Sequence, residues 1–277
     1  MWRFAQRAGA TCLPSWTAAL SHISRYVFTA RKRRFSIFLL PCVVAGPHQV
    51  WSGLWCRGGG PCESYSVARL MEGAPPPVRS GQWPHGIPNI PVRSWRQVMI
   101  GSRLMRFIMD VFLALVLVGG CSFIEHPQFP VWAQHLDPSS IWATLPMKRL
   151  KTIAAVGITS FDQCVFGCSA RKPTTIIHLR WNKLRDIILQ TGNVGRCCHM
   201  PSTHAPLAGR DASGNFKTAQ GKIYPAGLNQ AIAAAVVDYV EGTFEGSTHQ
   251  QLPDDFLDLV VNDFVTDSTV QPDYYGL

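Results

Sequence analysis

The chain has no Cys-x-x-Cys pair, although it holds nine cysteines among 277 residues. Their irregular spacing over so long a chain excludes a disulfide framework. A clean signal sequence is missing too, because Arg3, Arg7 and Leu13-Pro14-Ser15 interrupt any apolar run near the amino terminus. The two absences predict a reducing compartment, nuclear or cytoplasmic, with mostly buried free thiols that behave as small hydrophobes. Charge is scarce at 16%, while 47% of residues are apolar, a composition suited to a globular core. An unbroken membrane span is also lacking. Residues 107–124 approach the required length, but Asp110 lies inside the run, Gly119-Gly120 breaks it and Glu125-His126-Pro127 follows. A buried helix leading into a strand accounts for the same residues; a protein anchored in a membrane through 107–124 is the competing reading.

What is present is positive charge. The formal net charge is +9, which makes nucleic acid or an anionic membrane surface a plausible partner class. Many of the arginines lie within residues 1–106, whereas Glu241, Glu245, Asp254, Asp255, Asp258, Asp263, Asp267 and Asp273 make the end acidic. Three regions follow from these shifts: an irregular basic segment at 1–50, an α/β domain at 51–241 and an acidic tail at 242–277, poorly ordered apart from a short helix at 254–264. Arg31-Lys32-Arg33-Arg34 reads as a solvated face or as a nuclear-import or phosphate-contacting patch, and 35–40 as a buried strand.

Periodicity within the middle region predicts helices at 94–118, 145–156, 182–190 and 228–241, and strands at 121–124, 157–161 and 174–179. Strand–helix alternation argues for the α/β class. Between these elements, residues 73–88 are too rich in glycine and proline for regular structure. So long a breaker-rich loop reads as a functional lid or as disorder.

Gly58-Gly59-Gly60-Pro61-Cys62-Glu63-Ser64-Tyr65-Ser66 is a sharp turn that presents a thiol, the usual display of a nucleophilic cysteine. Phe123-Ile124-Glu125-His126-Pro127, Phe166-Gly167-Cys168-Ser169-Ala170-Arg171-Lys172-Pro173-Thr174 and Gly221-Lys222-Ile223-Tyr224-Pro225-Ala226-Gly227 follow in order. Together these four segments resemble the DNA cytosine-5 methyltransferases: the Gly-Pro-Pro-Cys-Gln-x-Phe-Ser loop, Glu-Asn-Val, Gly-x-x-Gln-x-Arg-x-Arg and Gly-Asn-x-Val-x-Pro. The resemblance covers about residues 50–241 and implies a Rossmann-like methyltransferase fold with a mostly parallel sheet.

The same resemblance implies the chemistry. Cys62 would add as thiolate to cytosine C6, its pKa lowered by Arg69 or Arg171, and C5 would then accept a methyl group. Glu125 would hold the N3 edge of the base, and Arg171 or Lys172 would orient base and thiolate. S-adenosylmethionine is the implied cofactor, with Gly221, Lys222, Tyr224 and Pro225 as candidate contacts. DNA is the implied partner, with a flipped base covered by the breaker-rich loop and with Ser66, Arg69, Arg79 and Arg93 as candidate contacts.

Several positions depart from the family pattern. Gly60 replaces the first proline, Glu63 the glutamine, His126 the asparagine and Lys222 the closing asparagine. The stretch between Thr174 and Gly221, where the family reads its target sequence, is very short. Ahead of Cys62 there is no Asp-x-Phe-x-Gly-x-Gly loop, and Val43-Val44-Ala45-Gly46-Pro47 comes nearest. Little or no methyl transfer is therefore expected from the isolated chain, and a catalytically inactive nucleic-acid-binding remnant of the fold is the alternative function. Cys197-Cys198-His199 and His204 are metal-binding residue types in a spacing that matches no standard finger, so no metal is expected there.

Overall fold

The structure, a computed structural model, describes residues 42–46, 49–53, 55–59, 62–117, 120–207, 209–215, 217, 221 and 223–242, with the three strands before residue 60 given by their backbone. The Arg31–Arg34 cluster, the strand expected at 35–40 and the acidic tail from residue 243 with its expected helix lie outside the described residues.

Strands β1 (Cys42–Gly46) and β2 (Gln49–Gly53) pair antiparallel as a small sheet of their own. Strand β3 (Trp55–Gly59) leads toward a short helix α1 (Cys62–Tyr65), then to the long helix α2 (Val92–Leu117) and strand β4 (Cys121–Pro127). Because β3 and β4 are parallel, their connection must cross over, and α2 supplies that crossover.

Helix α2 follows Pro91, whose carbonyl accepts from the amides of Ser94 and Trp95. Its first half exposes Arg93, Arg96 and Arg103, whereas Met105, Phe107, Ile108, Met109, Val111, Phe112, Leu113, Leu115 and Val116 of its second half are buried. A helix apolar on all sides belongs in a core or a membrane. Here the apolar run is divided between the end of α2 and β4, and no described helix is long and apolar enough to cross a membrane. The end of α2 is closed by Arg180, whose guanidinium donates to Gly120 O at 2.7 Å and Val116 O at 3.4 Å. A cation on terminal carbonyls also complements the helix dipole.

Helix α3 (Leu145–Leu150) precedes β5 (Val156–Asp162), and β6 (Pro173–Leu179) is followed by α4 (Asn182–Gln190) and, after a long connection, α5 (Ala226–Gly242). The main sheet has the order β3-β4-β6-β5, with β4–β6 and β5–β6 both antiparallel. The chain is thus α/β, but the mostly parallel sheet expected from the resemblance is not the arrangement of the described strands. The reason lies in the connection: β5 and β6 are joined by a 3-10 turn at Gln163–Phe166 and a loop, too little chain for the helical crossover that parallel strands need.

Register assigns the two faces of the sheet. Glu125 pairs with Ile176 and Phe123 with His178, while Thr159 pairs with Ile176 and Phe161 with Thr174. Cys121, Phe123 and Glu125 therefore share a face with Ile176 and Phe161. That face carries the core cluster, in which Trp181, Leu184 and Ile188 join Leu228, Ala231, Ile232 and Ala235. Helix α5 can sit this close because residue 227 is glycine: a Cβ there would lie 2.8 Å from the Phe166 carbonyl oxygen. On the opposite face, His126 lies edge-on to Tyr65 and Trp142, with ring centroids 6.0 and 6.1 Å away.

Candidate active site

Strand pairing brings the two leading candidates to one edge of the sheet. Gly59, the last residue of β3, is the register partner of Glu125 near the end of β4. Cys62 opens α1 three positions after Gly59; its side chain lies outside the described ones. Because β6 runs antiparallel to β4, its first residues return to the same edge and place Lys172 beside Glu125.

Glu125 is 7% exposed and its carboxylate is held from three directions. Oε1 accepts from Lys172 Nζ at 3.3 Å and Gln163 Nε2 at 3.4 Å, and Oε2 accepts from the Tyr224 hydroxyl at 3.0 Å. The Lys172 ammonium also lies 5.7 Å from the centroid of the Tyr224 ring. Gln163 is fixed in turn: its Nε2 donates to Thr174 Oγ1 at 3.0 Å, and its backbone amide donates to Lys172 O at 3.0 Å. Buried charge is tolerated only when paired and hydrogen-bonded, and this carboxylate has both kinds of support.

Three of the four resembling segments thus meet through side chains. Arg171 does not join them; it turns to the fully buried Asp162, with nitrogen–oxygen distances of 3.4 and 3.5 Å. Tyr224, a candidate cofactor contact, donates its hydroxyl to Glu125 Oε2. Pro225 directly precedes α5, its carbonyl accepting from the amides of Leu228 and Asn229 at 3.1 Å each. Gly221 is buried near Leu207, and Lys222 lies outside the described residues. Gln163 was missed by the sequence reading. Its only signal is a polar Asp162-Gln163 step directly after a strand pattern.

Of the expected nucleic-acid contacts, Arg93 is exposed and Arg79 is the reverse. Arg79 is 3% exposed, donates to Pro84 O at 2.6 Å, Val98 O at 2.7 Å and Ser102 Oγ at 3.0 Å, and stacks 4.1 Å from the Tyr65 ring centroid. The breaker-rich loop folds back and inserts this guanidinium beside Gly101 of α2, where a Cβ would lie 3.2 Å from Nη2. Burial holds the Arg79 pKa below and the Tyr65 pKa above their ordinary values. Arg69 spends its donors on Glu63 O, Pro76 O and Gln97 Oε1 at 2.6–2.7 Å, and Ser66 caps the 3-10 turn at Val67–Leu70.

Adenosylmethionine needs a glycine loop that carries a strand into a helix. The segment closest to one, Val43–Gly46, lies in β1 and leads into the antiparallel β2. Among the described residues upstream of β3 no such cradle is present. No family model matches the chain, and no curated protein or solved structure matches it either.

Proposed function

We propose that the sheet edge at Glu125 binds a flipped cytosine and that Cys62 adds to it, in the manner of the DNA cytosine-5 methyltransferases the chain resembles. The observation that carries this reading is the Glu125 carboxylate, fixed by Lys172 and Tyr224 at the sheet edge where β3 runs toward Cys62. Separate stretches of chain supply the parts, as a nucleobase site requires: a thiol, a carboxylate for the N3 edge and an ammonium beside it.

The covalent step is reversible addition. A bond forms between the Cys62 sulfur and C6 as the C5=C6 π bond opens; its electrons form a C4=C5 bond, the C4=N3 pair moves onto N3, and N3 takes up the proton that the Cys62 thiol gave up, at the edge facing Glu125. Expulsion of the thiolate restores the base. Lys172 and Tyr224 hold the carboxylate in place. No methyl-transfer step is assigned, because the described residues upstream of β3 form a hairpin and no cradle for a donor.

Nucleic acid as partner draws support from α2, where Arg93, Arg96 and Arg103 are all exposed on one face of the helix. A nucleic-acid-binding remnant without transferase activity is the second reading, and the β1–β2 hairpin in place of a cofactor loop favours it. A DNA duplex carrying a pyrimidin-2-one base tests the main proposal by mass spectrometry. A covalent adduct on the Cys62 peptide, absent in Cys62→Ala, is the expected result, and DNA binding without any adduct leaves only the remnant. Calorimetric titration with adenosylmethionine then checks the cofactor, and no binding is expected.

A further inference from the structure

The turn that supplies Gln163 also carries Cys164, and Cys164 meets three residues from the connection after α4. The sulfurs of Cys164 and Cys197 and one ring nitrogen each of His199 and His204 all lie within 4.8 Å of one another. Cys197 Sγ is 3.5 Å from His199 Nδ1 and 3.4 Å from His204 Nε2. We propose that these four side chains bind one zinc ion in a closed, structural site.

Geometry supports the assignment. Zinc bonds of about 2.3 Å to sulfur and about 2.0–2.1 Å to nitrogen, at tetrahedral angles, place sulfur and nitrogen about 3.6 Å apart and two sulfurs about 3.8 Å apart. Both short sulfur–nitrogen distances already match that edge. The widest separation, 4.8 Å, closes with small side-chain rotations. The donor set fits as well. A thiol has one proton, yet Cys197 Sγ faces two ring nitrogens and the His199 carbonyl oxygen at 3.9 Å. Thiolates and neutral imidazoles converging in this way are what a borderline-soft divalent ion selects.

A crosslink would add to the hydrogen bonds that hold the loop, from Asp162 N to Gly195 O at 2.9 Å, Ala205 N to Ser169 O at 2.9 Å and Arg196 Nη1 to Gln128 Oε1 at 2.8 Å. From 192 to 207 its regular structure is a three-residue 3-10 turn at Pro201–Thr203 and an isolated bridge between Asn193 and Arg196, and Gly195 is its only buried residue. Val194 and Met200 are largely exposed, so apolar packing does not hold the segment in place. A long connection without a core is uncommon unless something else orders it. Asp162 accepts from the Cys197 amide at 3.0 Å and pairs with Arg171, which sets a ligand from behind as outer contacts do around zinc.

Cys198 is exposed and outside the group. The sequence spacing of Cys197-Cys198-His199 concealed the site because its fourth ligand comes from the turn after β5. All four positions are filled by protein, so the ion ties the loop to that turn and leaves no place for a reacting water. This inference stands independently of the base-binding reading.

The test uses the full chain, purified under reducing conditions and analysed by elemental mass spectrometry. About one equivalent of zinc is expected, and cobalt exchange should give intense tetrahedral visible bands with a sulfur-to-cobalt band in the near ultraviolet. Cys164→Ser and His204→Ala should lose the metal, and Cys198→Ser should keep it. If the variants fail to fold, the wild-type cobalt spectrum and the zinc content decide alone. Metal-free wild-type protein with no cobalt spectrum, metal retained in Cys164→Ser, or a Cys164–Cys197 disulfide under reducing conditions overturns the site.

Discussion

The Tyr224 hydroxyl donates to Glu125 Oε2 at 3.0 Å across a separation of 99 residues. One bond thus ties the start of α5 to the end of β4. A hydrogen bond to a charged group contributes about 1.5–3 kcal/mol, so Tyr224→Phe should lower stability by that order in chemical denaturation. A double-mutant cycle with Glu125→Gln should give a coupling energy above about 0.5 kcal/mol. Additive losses would mean that the contact carries no energy.

Arg79 and Arg93 should separate folding from binding. Lysine cannot reproduce three donor bonds and a stacked plane, so Arg79→Lys should cost about 2–4 kcal/mol. Arg93→Ala should leave stability nearly unchanged and reduce the salt slope of DNA binding by about one. Fluorescence anisotropy over a salt series reads the slope. An Arg79→Lys protein of full stability with a reduced slope would reverse the assignment.

Stability should fall in mild acid. Burial lowers the His126 pKa to about 3, with Lys172 adding to the shift, and burial beside Arg185 lowers that of His178 to about 4. Both rings are neutral in the folded state over the range where the unfolded chain, with an ordinary histidine pKa near 6.5, takes up protons. Their contribution is therefore complete above about pH 6.5 and is lost as pH falls toward 4, with a slope approaching 2.7 kcal/mol per pH unit for about two protons. His126→Phe keeps the aromatic contacts with Tyr65 and Trp142 and should halve that slope in urea titrations between pH 6.5 and 4.5. An unchanged slope would show that His126 is not neutral when folded.

Gly227→Ala should destabilise even though alanine is the better helix former by about 1 kcal/mol. The added Cβ would lie 2.8 Å from the Phe166 carbonyl oxygen and 3.4 Å from the Phe166 carbonyl carbon, and backbone cannot rotate away as a side chain can. A net loss of about 1–3 kcal/mol is expected from such overpacking. A rise in melting temperature would show that α5 does not sit against this turn.

Much of the fold was legible because local patterns were strong. Helix α4 matches its expected span of 182–190, and α2 begins two residues before and ends one residue before the span read from periodicity. Helix α3 is shorter than expected. Thr152 bonds back to Arg149 O at 2.8 Å, and the chain turns at Ile153 before β5. Strand sense was hidden, since it depends on whether the segment after β5 forms a crossover, and Gln163–Phe166 forms only a tight turn. In the candidate site, Glu125 and Lys172 were readable from ordered short segments. Gln163 and the burial of Arg79 were not, because a loop that inserts a guanidinium against a helix has the same composition as one left in solvent.

Asp162, Gln163 and Cys164 are consecutive, and each serves a different neighbour: the Cys197 amide, the Glu125 carboxylate and the Cys-His group. Asp162 and Cys164 bear on the same group, since Cys197 belongs to it, whereas Gln163 bears on Glu125. A single-residue insertion or deletion would shift all three at once, because each points where its position in the turn sends it. The length of this turn is therefore a stricter inheritance than its composition, and loop-length variation in the chain has to be accommodated elsewhere.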